Sequence, residues 1–306
     1  MSADAPARAV VFAYHDVGAR CLRTLLAHGV EIPLVVTHED DPNEALWFER
    51  VAEVAEAHRL RWIAPMDPNA PDVVARVAES DPDFLFSFYY RRMLGAPMLS
   101  TARRGALNMH GSLLPKYRGR APVNWAILNG ERETGVTLHH MTLRPDAGDI
   151  VEQQRVPIGP DDTAKEVFDR VSTAAAIALD RALPAILDGT APRRTNDLAA
   201  GSYFGGRRPE DGRIDWSWPA KRVHDLVRAV APPYPGAFCD LPGGRLSVLR
   251  TRLARSPPAV PAAPGVFVAD GAIWGRCGDG ACVEVLDATV DRRAADVSVV
   301  AALLAR

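Results

Sequence analysis

The chain has 306 residues, enough for one large domain or two of ordinary size, each able to bury a core. With 47% hydrophobic and 24% charged residues it is neither a disordered chain nor a membrane-embedded one, and no apolar run is long enough to cross a bilayer. A formal net charge of −2 provides no general attraction to nucleic acid.

The four cysteines (Cys21, Cys239, Cys277 and Cys282) form no CxxC pair and no spacing that suggests a disulfide framework. The N-terminus shows no basic region followed by an apolar core, so no signal peptide is expected. A cytoplasmic protein with reduced thiols is the expectation.

Taken in order, Ala9–Tyr14 is an apolar run that predicts a buried strand, and His15 to Ala27 follows with a helical period. Ile32–Thr37 predicts a second strand and Leu46 to His58 a helix. Trp62–Ala64 is a short strand, Pro71–Glu79 a helix, and Phe84–Tyr90 an aromatic strand. Gly105–Met109 is again strand-like, and a helix restarts from about Ala121 with Pro122 in its first turn. Such alternation argues for an α/β, Rossmann-like domain with a mostly parallel sheet.

Thr134–His140 and Asp149–Val156 then read as two strands joined by the turn at Arg144–Gly148, and Thr163 to Leu187 as one long helix. Beyond a breaker-rich stretch, Ala220–Val230 predicts a helix. Short strands follow at Ala237, Leu246, Gly265, Ala272 and Ala281, a pattern that suits a small β-barrel-like (OB-like) domain. Pro257 to Pro264 reads as a loop. The division expected is 1–190 for the catalytic domain, 191–205 for a linker and 206–306 for the small β-rich domain.

Several chemistries find no support. The first strand leads into Tyr14-His-Asp-Val-Gly18, with one glycine where a dinucleotide fingerprint needs three. No GxxxxGK[ST] phosphate loop and no GxSxG elbow is present. His139 and His140 are adjacent and face opposite sides of a strand, so they cannot both ligate one metal ion; no metal is expected. What remains is Asn108 and His110. They are two residues apart, so both project to one strand face at a C-terminal strand end, beside the cationic loop Lys116–Arg120.

The stretch Asn108-Met-His-Gly-Ser-Leu-Leu-Pro-Lys-Tyr-Arg-Gly-Arg-Ala-Pro122 resembles the N10-formyltetrahydrofolate-dependent formyltransferases. So does Glu133–His139 followed by Asp146-Ala-Gly-Asp-Ile150, in the same order and at the same spacing. The likeness extends over nearly the whole chain, including Gly212-Arg-Ile-Asp-Trp216.

Within that family the chain is most similar to the branch acting on UDP-4-amino-4-deoxy-L-arabinose, which serves lipid A modification and polymyxin resistance. Val11–Asp16, Phe86–Arg91 and Lys116–Trp125 carry that closer match. The branch's bifunctional members continue into a decarboxylase domain. Here the resemblance ends at Arg306, so the chain is expected to be a stand-alone formyltransferase or an isolated domain. Enzymes of the methionyl-tRNA branch carry a basic insertion after the second strand; this chain has Thr37–Glu44, which is acidic and would repel a phosphate backbone. That branch, and formylation of another nucleotide-linked aminosugar, stand as alternatives.

The resemblance implies a one-carbon transferase using N10-formyltetrahydrofolate as co-substrate, a UDP-aminosugar acceptor and no nucleic-acid partner. Its catalytic residues would be Asn108 (an oxyanion donor), His110 (acid–base) and Asp146 (orienting His110). The folate would lie against Arg92, Met93, Leu94, Arg120, Thr142, Leu143, Arg144, Pro145 and Asp146, largely through main chain. Arg207 and Arg208 are the cations that could meet a diphosphate, or else simply solvated linker charges. Oligomeric state is left open.

Overall fold

The structure is a computed structural model and describes residues 6–40, 46–259 and 261–306. Residues 1–5, where the absence of a leader was read, lie outside the described residues. So do residues 41–44 of the acidic stretch and Val260 of the proline-rich loop. By contact the chain divides into two units. One comprises Met1–Gly119, Thr134–Val156 and Asp169–Phe204; the other comprises Arg120–Glu133, Pro157–Phe168 and Gly205–Arg306.

The first unit is organised around strands β1 (Arg8–Ala13), β2 (Glu31–Val36), β3 (Trp62–Ile63), β4 (Phe84–Phe88) and β5 (Gly105–His110), a two-residue strand β6 (Arg118–Gly119), and strands β7 (Glu133–His140) and β8 (Ile150–Pro157). Seven of these form one sheet in the order β3-β2-β1-β4-β5-β7-β8. Strands β1 to β5 run parallel, whereas β7 is antiparallel to β5. Every residue of β4 is buried, as a sheet covered on both faces requires. Phe12, Phe86 and Phe88 are among its largest fully buried side chains, each contributing roughly 1.5–3 kcal/mol by burial.

Helices α1 (His15–Ala27), α2 (Val51–Ala57), α3 (Pro71–Glu79) and α4 (Ala96–Leu99) fill the connections between the parallel strands. The helix expected from Leu46 starts only at Val51: Glu49 N–H is taken by the Asp16 carboxylate at 2.9 Å, and Arg50 is in extended backbone. Helix α5 (Pro122–Leu128) follows the cationic loop, and α6 (Ala164–Asp188) is the long helix read from the sequence. Its first turn is closed by reciprocal bonds, Thr163 N–H to Glu166 Oε2 at 2.7 Å and Glu166 N–H to Thr163 Oγ1 at 3.4 Å.

The stretch 191–205, expected as a linker, contributes structure to the first unit. It holds the buried Asn196 and strand β9 (Tyr203–Phe204), which pairs in parallel with β6.

The second unit contains the β-rich C-terminal domain. Strands β10 (Ala237–Leu241), β11 (Gly244–Leu253), β12 (Gly265–Ala269), β13 (Ala272–Arg276) and β14 (Cys282–Val290) form an antiparallel sheet in the order β10-β11-β14-β13-β12, with β15 (Arg293–Ala294) paired to β14. Two register shifts near Arg250 bend β11, the usual device for curving such a sheet. Helix α7 (Ala220–Val230) buries Val223, Leu226, Val227 and Val230 in a core shared with Leu246, Val248, Val283 and Val285. Helix α8 (Val297–Leu304) is capped by the Asp296 side chain, which accepts from Val299 N–H. No helix among the described residues is long and apolar enough to cross a membrane.

Candidate active site

Strand β5 places Asn108 and His110 on one face, as their spacing requires, and pairs with β7 so that Asn108 lies opposite His139 and His110 opposite Thr137. Asp146 comes from the turn between β7 and β8 and meets them there. Its Oδ1 lies 3.4 Å from His110 Nδ1, 3.5 Å from Asn108 Nδ2 and 3.6 Å from His139 Nε2. His110 is 6% exposed, so this cluster is sheltered from bulk water.

Main chain does much of the holding. His110 Nε2 lies 2.8 Å from the Tyr117 carbonyl, which only accepts, so Nε2 carries the hydrogen and Nδ1 is the nitrogen left to take a proton. Gly119 N–H donates to Asp146 Oδ2 at 2.9 Å. Asp146 is itself in left-handed backbone, φ +49°, where aspartate is tolerated better than most residues. Burial pushes its carboxyl up, but the neighbouring His110 ring and the Gly119 N–H hold it well below the usual carboxylate range. The carboxylate is therefore charged near neutral pH.

The loop that brings Tyr117 and Gly119 here is pinned at both ends. Leu114 N–H donates to Thr137 Oγ1 at 3.0 Å, and Thr137 Oγ1 donates to the Ser112 carbonyl at 2.7 Å. Further on, Tyr117 N–H donates to Ser202 Oγ at 2.8 Å, and the Tyr117 ring stacks on Phe204 with centroids 5.3 Å apart. Arg118, between the two gripping residues, is 6% exposed, and its Nε has no hydrogen-bond partner among the described residues.

Of the residues that the resemblance implies, the structure brings Asn108, His110 and Asp146 together. The others are placed less decisively. Arg92 and Met93 are exposed after β4, while the Leu94 side chain is buried in the sheet's core and offers a ligand only its main chain. Asn69 fixes that segment, donating to the Met93 carbonyl at 3.0 Å and accepting from Gly95 N–H at 2.7 Å. Thr142, Leu143 and Arg144 are exposed and Pro145 is half-buried; Thr142 Oγ1 donates to the Arg144 carbonyl at 2.9 Å. Arg120 is exposed. In the second unit, Arg207 lies over the Trp125 ring at 4.9 Å and donates to the Asp211 carbonyl, and burial lowers its pKa; Arg208 is exposed.

Two members were not anticipated. The sequence singles out His139 only as an excluded metal ligand, whereas the β5–β7 pairing sets it opposite Asn108. Asn196 had no signal at all within a presumed linker. Its Nδ2 donates to the carbonyls of Asp146 at 3.0 Å and Gly148 at 3.2 Å, and so holds the turn's backbone. Gly148 is required there, since a Cβ would sit 1.9 Å from the His140 carbonyl oxygen. Among the described residues no group of three or more His, Cys, Asp or Glu could hold a metal ion.

An imidazole, a carboxamide and a charged carboxylate in contact can move one proton and stabilise one developing oxyanion, the requirements of acyl transfer to an amine. Residues 10–183 match the formyl transferase family model, and residues 207–299 match that family's C-terminal domain. The chain belongs to the formyl transferase family and carries both of its domains.

Solved structures share the fold. An N-formyltransferase from Helicobacter canadensis, in complex with folinic acid and dTDP-3-aminofucose, superposes with a TM-score of 0.74 at 18% identity, over 92% of this chain and 99% of that one. A sugar N-formyltransferase from a Shewanella species gives 0.63 at 18% identity, over 79% and 96%. HypX from Aquifex aeolicus, in complex with tetrahydrofolic acid, gives 0.65 at 19% identity, over 97% of this chain and 47% of that one.

Proposed function

We propose that the protein transfers a formyl group from N10-formyltetrahydrofolate to the 4-amino group of UDP-4-amino-4-deoxy-L-arabinose. The catalytic domain would span 1–190, the linker 191–205 and the small domain 206–306. The observation that carries the reaction is the meeting of Asn108, His110 and Asp146 in one sheltered cluster, with Asn108 Nδ2 and His110 Nδ1 each within 3.5 Å of Asp146 Oδ1.

In this reading the acceptor nitrogen attacks the formyl carbon and gives a tetrahedral oxyanion, to which Asn108 Nδ2–H donates. His110 takes the proton leaving the attacking nitrogen at Nδ1, beside the Asp146 carboxylate. The C–N10 bond then breaks, and the same proton returns to the folate nitrogen, so one N–C bond forms, one breaks and no net charge is created. Main chain after β4 and in the Thr142–Asp146 turn would receive the folate.

The acceptor rests on the residues of Val11–Asp16, Phe86–Arg91 and Lys116–Trp125, and on the acidic character of the residues after β2. A second reading, formylation of a different nucleotide-linked aminosugar, is favoured by the relative that holds dTDP-3-aminofucose.

The test offers the protein the formyl donor with UDP-4-amino-4-deoxy-L-arabinose, dTDP-3-aminofucose or charged initiator tRNA, and follows formylated product. The UDP sugar should be formylated with the highest kcat/KM. Preference for the dTDP sugar selects the second reading, and formylation of tRNA alone overturns both. His110→Ala and Asn108→Ala should each lower kcat about 10²-fold or more in a folded protein. A near-normal rate in either removes that residue from the scheme.

A further inference from the structure

An oxyanion donor must present N–H and not its own oxygen, and a carboxamide can turn either way about its last bond. We propose that His139 is the positioning residue that sets Asn108 the right way round. This rests on the acyl-transfer reading above and adds a residue to it.

His139 is 2% exposed and stands opposite Asn108 in the β5–β7 pair. Its Nδ1 lies 2.8 Å from the His140 carbonyl oxygen. A carbonyl only accepts, so Nδ1 carries the hydrogen, and the neutral ring then presents a bare Nε2. That lone pair lies 3.1 Å from Asn108 Nδ2, a good hydrogen bond. Asp146 Oδ1, the second acceptor facing the same nitrogen, is 3.5 Å away, at the limit of a bond.

Two acceptors on one side fix the amide with its NH2 towards them. One hydrogen is committed to His139. Among the described residues the other has only the long contact with Asp146, which leaves it available to a developing oxyanion. Without the Nε2 lone pair, rotation of the amide would bring the Asn108 oxygen into the place of the donor, and a lone pair would face the negative charge. The groups facing His139 Nε2 are thus Asn108 and Asp146, and the His140 carbonyl behind it fixes the tautomer.

Two substitutions separate this role from a purely structural one. Asn at position 139 reaches where Nδ1 is, so it keeps the bond to the His140 carbonyl but not the bond to Asn108. Gln reaches where Nε2 is: its oxygen can accept from Asn108 Nδ2 while its NH2 turns to Asp146. His139→Asn should lower kcat about 10-fold or more with KM for donor and acceptor unchanged, and His139→Gln should keep kcat within about 3-fold. The reverse order, equal losses in both, or a loss carried by KM overturns the proposal. Long-range 1H–15N spectra of the wild-type imidazoles at pH 8 give a check that needs no turnover. His139 should appear as the Nδ1–H tautomer, and an Nε2–H tautomer refutes the arrangement. If the wild type formylates none of the acceptors, the functional reading falls and the spectrum still decides for or against His139.

Discussion

Gly119 donates its backbone N–H to Asp146 Oδ2, so the residue following Arg118 holds the same carboxylate whose other oxygen faces His110. The loop between β5 and α5 therefore touches the site at two backbone points either side of Arg118, since the Tyr117 carbonyl accepts from His110 Nε2. Neither contact uses a side chain. The position of the reacting groups depends on backbone shape, and that shape includes left-handed φ values at Tyr117 (+57°), Gly119 (+98°) and Ala121 (+50°). Strained backbone of this kind persists only where the surroundings enforce it.

Gly119→Ala tests that dependence. At φ +98° a side chain is strained, and a Cβ would lie 2.2 Å from the Phe204 carbonyl oxygen, in the strand that pairs with β6. Backbone atoms on both sides must move apart, and the N–H aimed at Asp146 moves with them. We expect a loss of about 2 kcal/mol, seen as a melting temperature lower by roughly 5 °C. The rate should fall more than stability alone explains, because Asp146 loses a charge-assisted bond. A variant that melts and turns over like the wild type would show that β6 carries no such constraint.

Asn196→Leu isolates the other clamp. Asn196 is 6% exposed, and its NH2 satisfies the carbonyls of Asp146 and Gly148. Leucine fills similar space but leaves two sheltered acceptors unpaired, at about 1–3 kcal/mol for each group fully cut off from water. The Asn196 oxygen has no partner among the described residues, so removing it returns part of that cost. The net expectation is a destabilisation of about 2 kcal/mol in urea titration and a fall in kcat with KM for the acceptor unchanged. Unchanged urea midpoints would mean that the turn keeps its shape without Asn196.

These two predictions mark where the sequence is readable. The strand–helix alternation to α5 follows from apolar periodicity and the shared face of Asn108 and His110 from their spacing, whereas the place of Asp146 beside them, 38 residues from Asn108, is implied only by the resemblance. His139 was legible only in part: adjacent histidines on a strand face opposite sides, but both His139 and His140 pair with β5, and the register that sets His139 opposite Asn108 needed the partner strand. Asn196 was not legible, because its value lies in two backbone carbonyls 48 and 50 residues away along the chain. The late start of α2 is of the same kind, since Glu49 N–H goes to a carboxylate in α1 rather than into a first turn. The Tyr117 and Gly119 contacts are main-chain atoms, which no residue type announces.

His38 gives a pH dependence outside the reacting cluster. Its ring stacks on Tyr90 with centroids 4.1 Å apart, and its Nε2 accepts from Arg91 N–H at 3.0 Å, which requires that nitrogen to be unprotonated. Burial, with the Arg91 and Arg92 charges behind it, lowers its pKa from the ordinary 6.5 to about 4, against a smaller opposing pull from Asp40. The folded protein thus refuses a proton that the unfolded chain accepts. Stability from this group is fully present above about pH 6.5 and is lost progressively as pH falls towards 4, after which it changes no further. The slope cannot exceed about 1.4 kcal/mol per pH unit and should be well under that, because the ring is partly open to solvent. His38→Gln keeps an acceptor for Arg91 and cannot titrate. Urea midpoints measured from pH 7.5 down to 4.5 should therefore decline less steeply in the variant than in the wild type. Parallel declines would mean that some other group, and not His38, carries the acid sensitivity in that window.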